Sequence, residues 1–186
     1  MMRSLRRCGP PTVILWIGGV LIVGCASIMT LDYEPGNSLK GQGKLTIEPF
    51  RYEAAGSGRV RAHEVERNQG TRAHLFLSQE VSTFFTEALR KELAHSGYTV
   101  EKSGTRSISG SLARFYVDWT DETKRWFELR ATYNVRSGDR TVFTWNCFSV
   151  QYGPNLLAQS GVLIRRGTED CMQRFIQAAQ DAQALQ

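Results

Sequence analysis

Phe127-Glu128-Leu129-Arg130-Ala131-Thr132-Tyr133-Asn134-Val135 alternates apolar and polar residues without a break. Successive side chains of a strand point to opposite faces, so this pattern predicts a strand with one dry face and one wet face. Downstream, Ser137-Gly138-Asp139 supplies a tight turn into a further strand over 141–152, whose Phe143, Trp145, Phe148 and Val150 fall on both faces. Upstream, a long strand is predicted over 107–119 and a short one over 98–102. Consecutive strands joined by short turns favour an antiparallel meander.

Before this meander, Val81, Phe84, Phe85, Ala88, Leu89 and Leu93 recur at steps of three and four, which makes one helical face. Ser78 is placed to cap that helix. Arg90, Lys91 and His95 suit its negative end, and Gly97 can take the left-handed conformation that stops it. Burying each Phe or Leu of the stripe contributes roughly 1.5–3 kcal/mol before entropy, so the stripe is expected to pack on the sheet. The alternative has Phe84 and Phe85 lining a lipid groove. After the meander, a short strand is expected at 162–164, and Thr168 then caps a last helix. Its inner stripe is Met172, Phe175, Ile176 and Ala179, and Glu169 and Asp170 sit at its positive end. The domain opens on Lys44-Leu45-Thr46-Ile47-Glu48-Pro49-Phe50, a strand closed by Pro49. The reading is an α+β fold over residues 44–186, a mostly antiparallel sheet in β-α-β-β-β-β-α order with two helices packed on one face.

Residues 51–74 are polar and Gly-containing, with Arg51, Arg59, Arg61, Arg67 and Arg72 interleaved with Glu53, Glu64 and Glu66. Two readings fit: a contact surface for an anionic group, or a solvated loop whose charges largely cancel, the second being preferred. Residues 26–43, with Asp32, Pro35, Gly36, Asn37, Gly41 and Gly43, show no periodic apolar face and read as a flexible tether.

The first 24 residues have the layout of a secretory signal: Arg3, Arg6 and Arg7, then an apolar run from Val13 to Val23. Ile22-Val23-Gly24-Cys25 resembles the bacterial lipobox. That resemblance implies removal of residues 1–24, a diacylglycerol thioether on Cys25 and an acyl chain on its new amine. Ala26, rather than Asp, after the cysteine resembles lipoproteins sent to the outer membrane, on its periplasmic face. The competing reading is an uncleaved anchor, because apolar character continues through Ile28, Met29 and Leu31.

The leader carries three of the 23 basic residues and none of the 18 acidic ones, so the mature chain holds 20 against 18. Such a balance gives no electrostatic case for nucleic acid. Cys147 and Cys171 fall in the exported part, where disulfides persist; a bridge and two separate buried thiols both satisfy the sequence. Cys8 belongs to the leader. His63, His74 and His95 have no metal-ligand spacing, and no nucleophile elbow, phosphate loop or dinucleotide fingerprint occurs. The sequence therefore calls for no cofactor and no metal beyond the covalent lipid. Asp118, Asp121 and Glu122 gather at a hairpin tip between Trp119 and Trp126, read as a polar turn whose tryptophan pair is a candidate contact for a partner or a membrane interface.

The lipobox, the strand Leu45-Thr46-Ile47-Glu48-Pro49-Phe50, the helix ending Leu93-Ala94-His95-Ser96-Gly97-Tyr98-Thr99-Val100 and the following Ile108-Ser109-Gly110-Ser111-Leu112 together resemble YajG-like and related small envelope lipoproteins. The resemblance implies no catalytic residues. The leading expectation is a non-enzymatic, lipid-anchored accessory protein that docks on an envelope protein by a sheet edge or the hairpin tip. The alternative is an auxiliary lipoprotein that binds a lipid or apolar ligand between the first long helix and the sheet, for a transport system.

Overall fold

A computed structural model describes residues 26–68, 70, 73–104 and 106–186. The leader and Cys25 lie outside the described residues. In chain order the elements are β1 (Ala26–Met29), β2 (Lys44–Ile47), β3 (Arg51–Tyr52), α1 (Glu53–Gly56), β4 (Glu66–Arg67), β5 (His74–Leu77), α2 (Val81–His95), β6 (Thr99–Val100), β7 (Arg106–Asp118), β8 (Lys124–Ser137), β9 (Arg140–Pro154) and α3 (Leu157–Asp181).

The alternating stretch is the middle of β8, which pairs antiparallel with β7 on one side and β9 on the other. Gly138, with φ +57°, takes the first of the two turn positions between β8 and β9, as a II′-type hairpin turn requires. The outer edge of β7 carries three short strands in succession, β2, β3 and β4, all parallel to it. β6 extends the sheet beyond β2, while β1 and β5 form a separate parallel pair. The antiparallel meander thus dominates an α+β fold, with a parallel fringe that the sequence pattern does not announce.

The dry face of β8 is the floor of the core, and Phe127, Leu129, Tyr133 and Val135 are fully buried. α2 and α3 cover this face. Phe85 meets the rings of Phe50 and Tyr133 at 5.1 and 6.0 Å, and Phe84 meets Phe115 at 6.4 Å. Rings of the helix itself therefore occupy the space that a lipid groove under α2 would need. α2 ends as its sequence predicts: Gly97 sits at φ +97°, with Tyr98 N donating to Leu93 O and Gly97 N to Ala94 O. Its start differs, because Glu80 rather than Ser78 holds the cap position and Ser78 N donates to Met29 O.

α3 begins twelve residues earlier than expected, at Leu157, so residues 162–164 are helical and Thr168 is buried inside the helix. Gly161 and Gly167 explain the misreading. They look like strand punctuation, yet a Cβ at Gly167 would lie 2.7 Å from the Phe127 ring and one at Gly161 would lie 2.9 Å from Met29 Sδ. Both let the helix lie flush against its neighbours.

Residues 26–43 are not a free tether. They form a strap between the two long helices, with Leu31, Tyr33 and Asn37 buried. Glu92 of α2 is fully buried, and the Tyr33 hydroxyl and Asn37 side-chain amide both donate to its carboxylate. Ser96 Oγ donates to Asn37 Oδ1 at 3.0 Å and Lys91 Nζ to Tyr33 O at 3.0 Å. A buried carboxylate must be paired, and the polar residues of the strap do that pairing, so their polarity reflects internal hydrogen bonds rather than solvation.

Candidate docking face

α2 and α3 both cover one face of the sheet; the other face of the meander is open along β9, at Phe148 and Tyr152, while Tyr116, Asp118 and Glu128 on it are buried. The pairing register puts its outward side chains in rows across β7, β8 and β9: Asp118, Trp126 and Tyr152; Tyr116, Glu128 and Val150; Arg114, Arg130 and Phe148; Ser111, Thr132 and Asn146; Ser109, Asn134 and Thr144. One half of the face is aromatic and charged, the other small and polar. In the polar half, Thr132 Oγ1 donates to Asn146 Oδ1 at 2.8 Å and Thr144 Oγ1 to Asn134 Oδ1 at 2.9 Å. Cross-strand pairs of this kind stabilise a wet face without hydrophobic burial.

The aromatic half is held by a ladder of charges. Arg130 Nε lies 2.6 Å from Glu128, Arg114 lies 3.9 Å from Glu128 and 3.8 Å from Glu66, and Arg59 lies 3.2 Å from Glu66. The Arg114 guanidinium sits 4.0 Å over the Tyr116 ring, which in turn packs 5.2 Å from Trp126. Beside it, His74 Nδ1 is 2.6 Å from Glu64 Oε1. The described residues of 51–74 are accordingly not a simple solvated loop; Arg72 lies outside them. Glu64 and Glu66 are buried, and Glu66 accepts a hydrogen bond from Phe115 N at 3.0 Å, fixing β4 on the sheet. A depression of about 650 Å³ between Arg59, Glu64, Glu66 and Tyr116 is the mouth of this network. Its carboxylates are paired, Glu66 with Arg59 and Arg114 and Glu64 with His74 and Arg67.

Next to this ladder, β7 bulges between Leu112 and Arg114. The small Ala113 at the bulge leaves a depression of about 480 Å³ bounded by Arg130, Thr132, Asn146 and Phe148. Phe148 is 54 % exposed and Tyr152 is 70 % exposed. The Arg130 guanidinium lies 5.1 Å over the Phe148 ring.

The candidate residues of the sequence fall in three places. Cys25 lies outside the described residues. Cys147 and Cys171 are joined as a disulfide, Cα atoms 5.6 Å apart, tying β9 to α3 beneath the open face. Trp119 and Trp126 do not form a pair. Trp126 belongs to the open face, whereas Trp119 packs on the core side with Arg125 5.4 Å over its ring. Alternation along the hairpin separates them, since they flank the turn on opposite faces. The acidic tip is a polar turn: Asp118 accepts from Thr120 and Tyr116, and Asp121 from the amides of Thr123 and Lys124. Burial alone would raise the Asp118 pKa, but these hydrogen bonds outweigh it and hold the carboxyl below its usual range. The Tyr116 hydroxyl is pushed above its usual range by burial and by its bond to Asp118. Sequence reading missed Phe148 and Tyr152 as site residues, because a strand with apolar residues on both faces does not say which face is covered.

No family model matches the chain, and no curated protein matches it. Solved structures do share its fold. Protein XCC0632 from Xanthomonas campestris, of family model DUF330, superposes with a TM-score of 0.65 at 11% identity, over 84% of this chain and 99% of that one. An uncharacterized protein gives 0.53 at 7% identity, over 83% of this chain and 97% of that one. A minor lipoprotein from Acinetobacter baumannii gives 0.44 at 12% identity, over 77% and 95%. The first two likenesses are likenesses of fold, and none of the three singles out the YajG-like group.

Proposed function

We propose that this chain is a non-enzymatic envelope lipoprotein, anchored through acylated Cys25, whose open sheet face docks on another envelope protein. The observation that carries the reading is the exposed aromatic and arginine half of that face. Tyr, Trp, Phe and Arg are the residues that dominate protein interfaces, and here Tyr152, Phe148, Trp126, Arg114 and Arg130 share one side of a rigid three-stranded meander. The depression beside Ala113 and Phe148 suits an apolar anchor from the partner, and the guanidinium and carboxylate groups around it suit a polar rim. No described helix is long and apolar enough to cross a membrane; in this reading the N-terminal lipid makes the attachment.

The test is photo-cross-linking in cells from Phe148 and Tyr152, each replaced by a photoreactive residue. The expected outcome is a discrete adduct with one envelope protein, lost when Arg130→Glu reverses the charge beside Phe148. An adduct-free protein at both positions contradicts docking through this face.

A further inference from the structure

We infer that the end of the molecule formed by the start of β1, the hairpin tip at 119–123 and the start of α3 lies against the bilayer, with Ile28, Leu156 and Leu157 in the headgroup region. The inference deepens the anchoring proposal and rests on acylation of Cys25. The strap and α3 run side by side in the same direction. Gly161 abuts Met29 and Leu31, Gly36 abuts Glu169, the Lys40 carbonyl accepts from Gln180, and Gly43 abuts the Leu185 carbonyl. Continued back toward Ala26, this register puts the first described residue level with the start of α3.

Consecutive Cα atoms are about 3.8 Å apart, so a lipid on Cys25 brings the membrane within one residue of β1. There is no slack for the body to rotate, because β1 is paired residue by residue with β5 and the strap is bonded to Glu92. The same end is rigid. Asn155 Nδ2 donates to Asp121 O at 2.6 Å and Asn155 N to Thr123 O at 3.2 Å, tying the tip to α3, and Arg125 reaches Ser160 and Asn155.

Large apolar side chains that are exposed among the described residues fall into two sets. Val142, Phe148 and Tyr152 lie on β9, and Ile28, Leu156 and Leu157 lie at this end, 77, 58 and 51 % exposed. Half-buried Trp119 belongs to the same end, with Arg125 over its ring and Arg125 bonded to Asn155 and Ser160, and is a ring type that favours the interface of membrane and water. Apolar side chains left in water beside a lipid anchor gain burial once the leaflet reaches them. The strands of the meander then rise away from the membrane, and the docking face looks sideways along it.

The experiment uses the full protein purified from membranes, with its N-terminal peptide weighed to establish acylation, in phosphatidylethanolamine and phosphatidylglycerol vesicles. Photoreactive residues replace Ile28 or Leu157 in turn, both exposed enough to tolerate change, and Arg140 at the opposite end. Lipid adducts from 28 and 157 and their loss at 140 are expected. Acylated protein with no adduct at 28 and 157, or with equal adduct at 140, overturns the orientation while leaving the anchor in place. Protein with bare Cys25 overturns the anchoring proposal, and the orientation with it.

Discussion

Glu92 is the residue on which the position of the strap turns. Its carboxylate takes hydrogen bonds from the Tyr33 hydroxyl and the Asn37 amide in a fully buried setting. Burial, then the bond and charge of Glu92, also push the Tyr33 hydroxyl well above its usual pKa. Glu92→Ala leaves those donors unpaired, so a loss of about 2–3 kcal/mol is expected in denaturant unfolding. Limited proteolysis should then cut within 30–43 in the variant and spare that segment in the parent protein. Asp118 gives a prediction in pH. Its folded pKa is depressed, so its contribution is complete above the unfolded value of about 3.9 and fades as pH falls through the folded pKa. Asp118→Asn should lower stability at neutral pH, where the ionised carboxylate contributes, and so flatten the acid limb, leaving stability at the lowest pH little changed. Neither role is legible in the sequence: Glu92 sits among the buried positions of α2 but looks like an ordinary helix-surface acid, and Asp118 looks like a turn acid whose partners two residues away are hidden.

At the scale of elements, the disulfide and the two helical glycines govern how α3 sits on the sheet. The bridge closes 24 residues of sequence between β9 and α3, worth about 3.5 kcal/mol in the chain-entropy model. Replacing both cysteines with serine should lower the unfolding free energy by up to that amount, measured with and without reductant; the parent under reductant should match the double variant. Gly167→Ala forces a Cβ against the stiff ring of Phe127 and should destabilise by about 1–3 kcal/mol. Gly161→Ala meets the flexible ends of Met29 and Leu31 and gains helix propensity of about 1 kcal/mol, so its net effect should be close to zero. These glycines are also why α3 was legible only in its second half. The apolar run at 162–164 between them imitates a short strand, whereas α2 and the meander carried unbroken periods of 3.6 and 2 and were readable nearly to their ends. The parallel strands β3 and β4 are two residues long and leave no periodic signal at all.

For the whole molecule, the two proposals divide the surface: one end is assigned to the leaflet and one sheet face to a partner. The proposed anchor rests on a local motif, and the alternation of β8 shows that it has a wet face, but not which aromatic residues of β9 share it. Both helices are expected on one face and lie there, but β9 is apolar on both faces and its pattern does not say which of them is covered. The sequence also placed Trp119 and Trp126 together at the tip, where the chain's own alternation parts them. If the anchor is absent, neither surface has the role assigned to it. The decisive measurement is the intact mass of the mature protein and of its N-terminal peptide from the membrane fraction. The account predicts a chain that begins at Cys25 and carries a thioether-linked diacylglycerol with an acylated amine. A chain that retains residues 1–24, or begins elsewhere with Cys25 unmodified or missing, contradicts it.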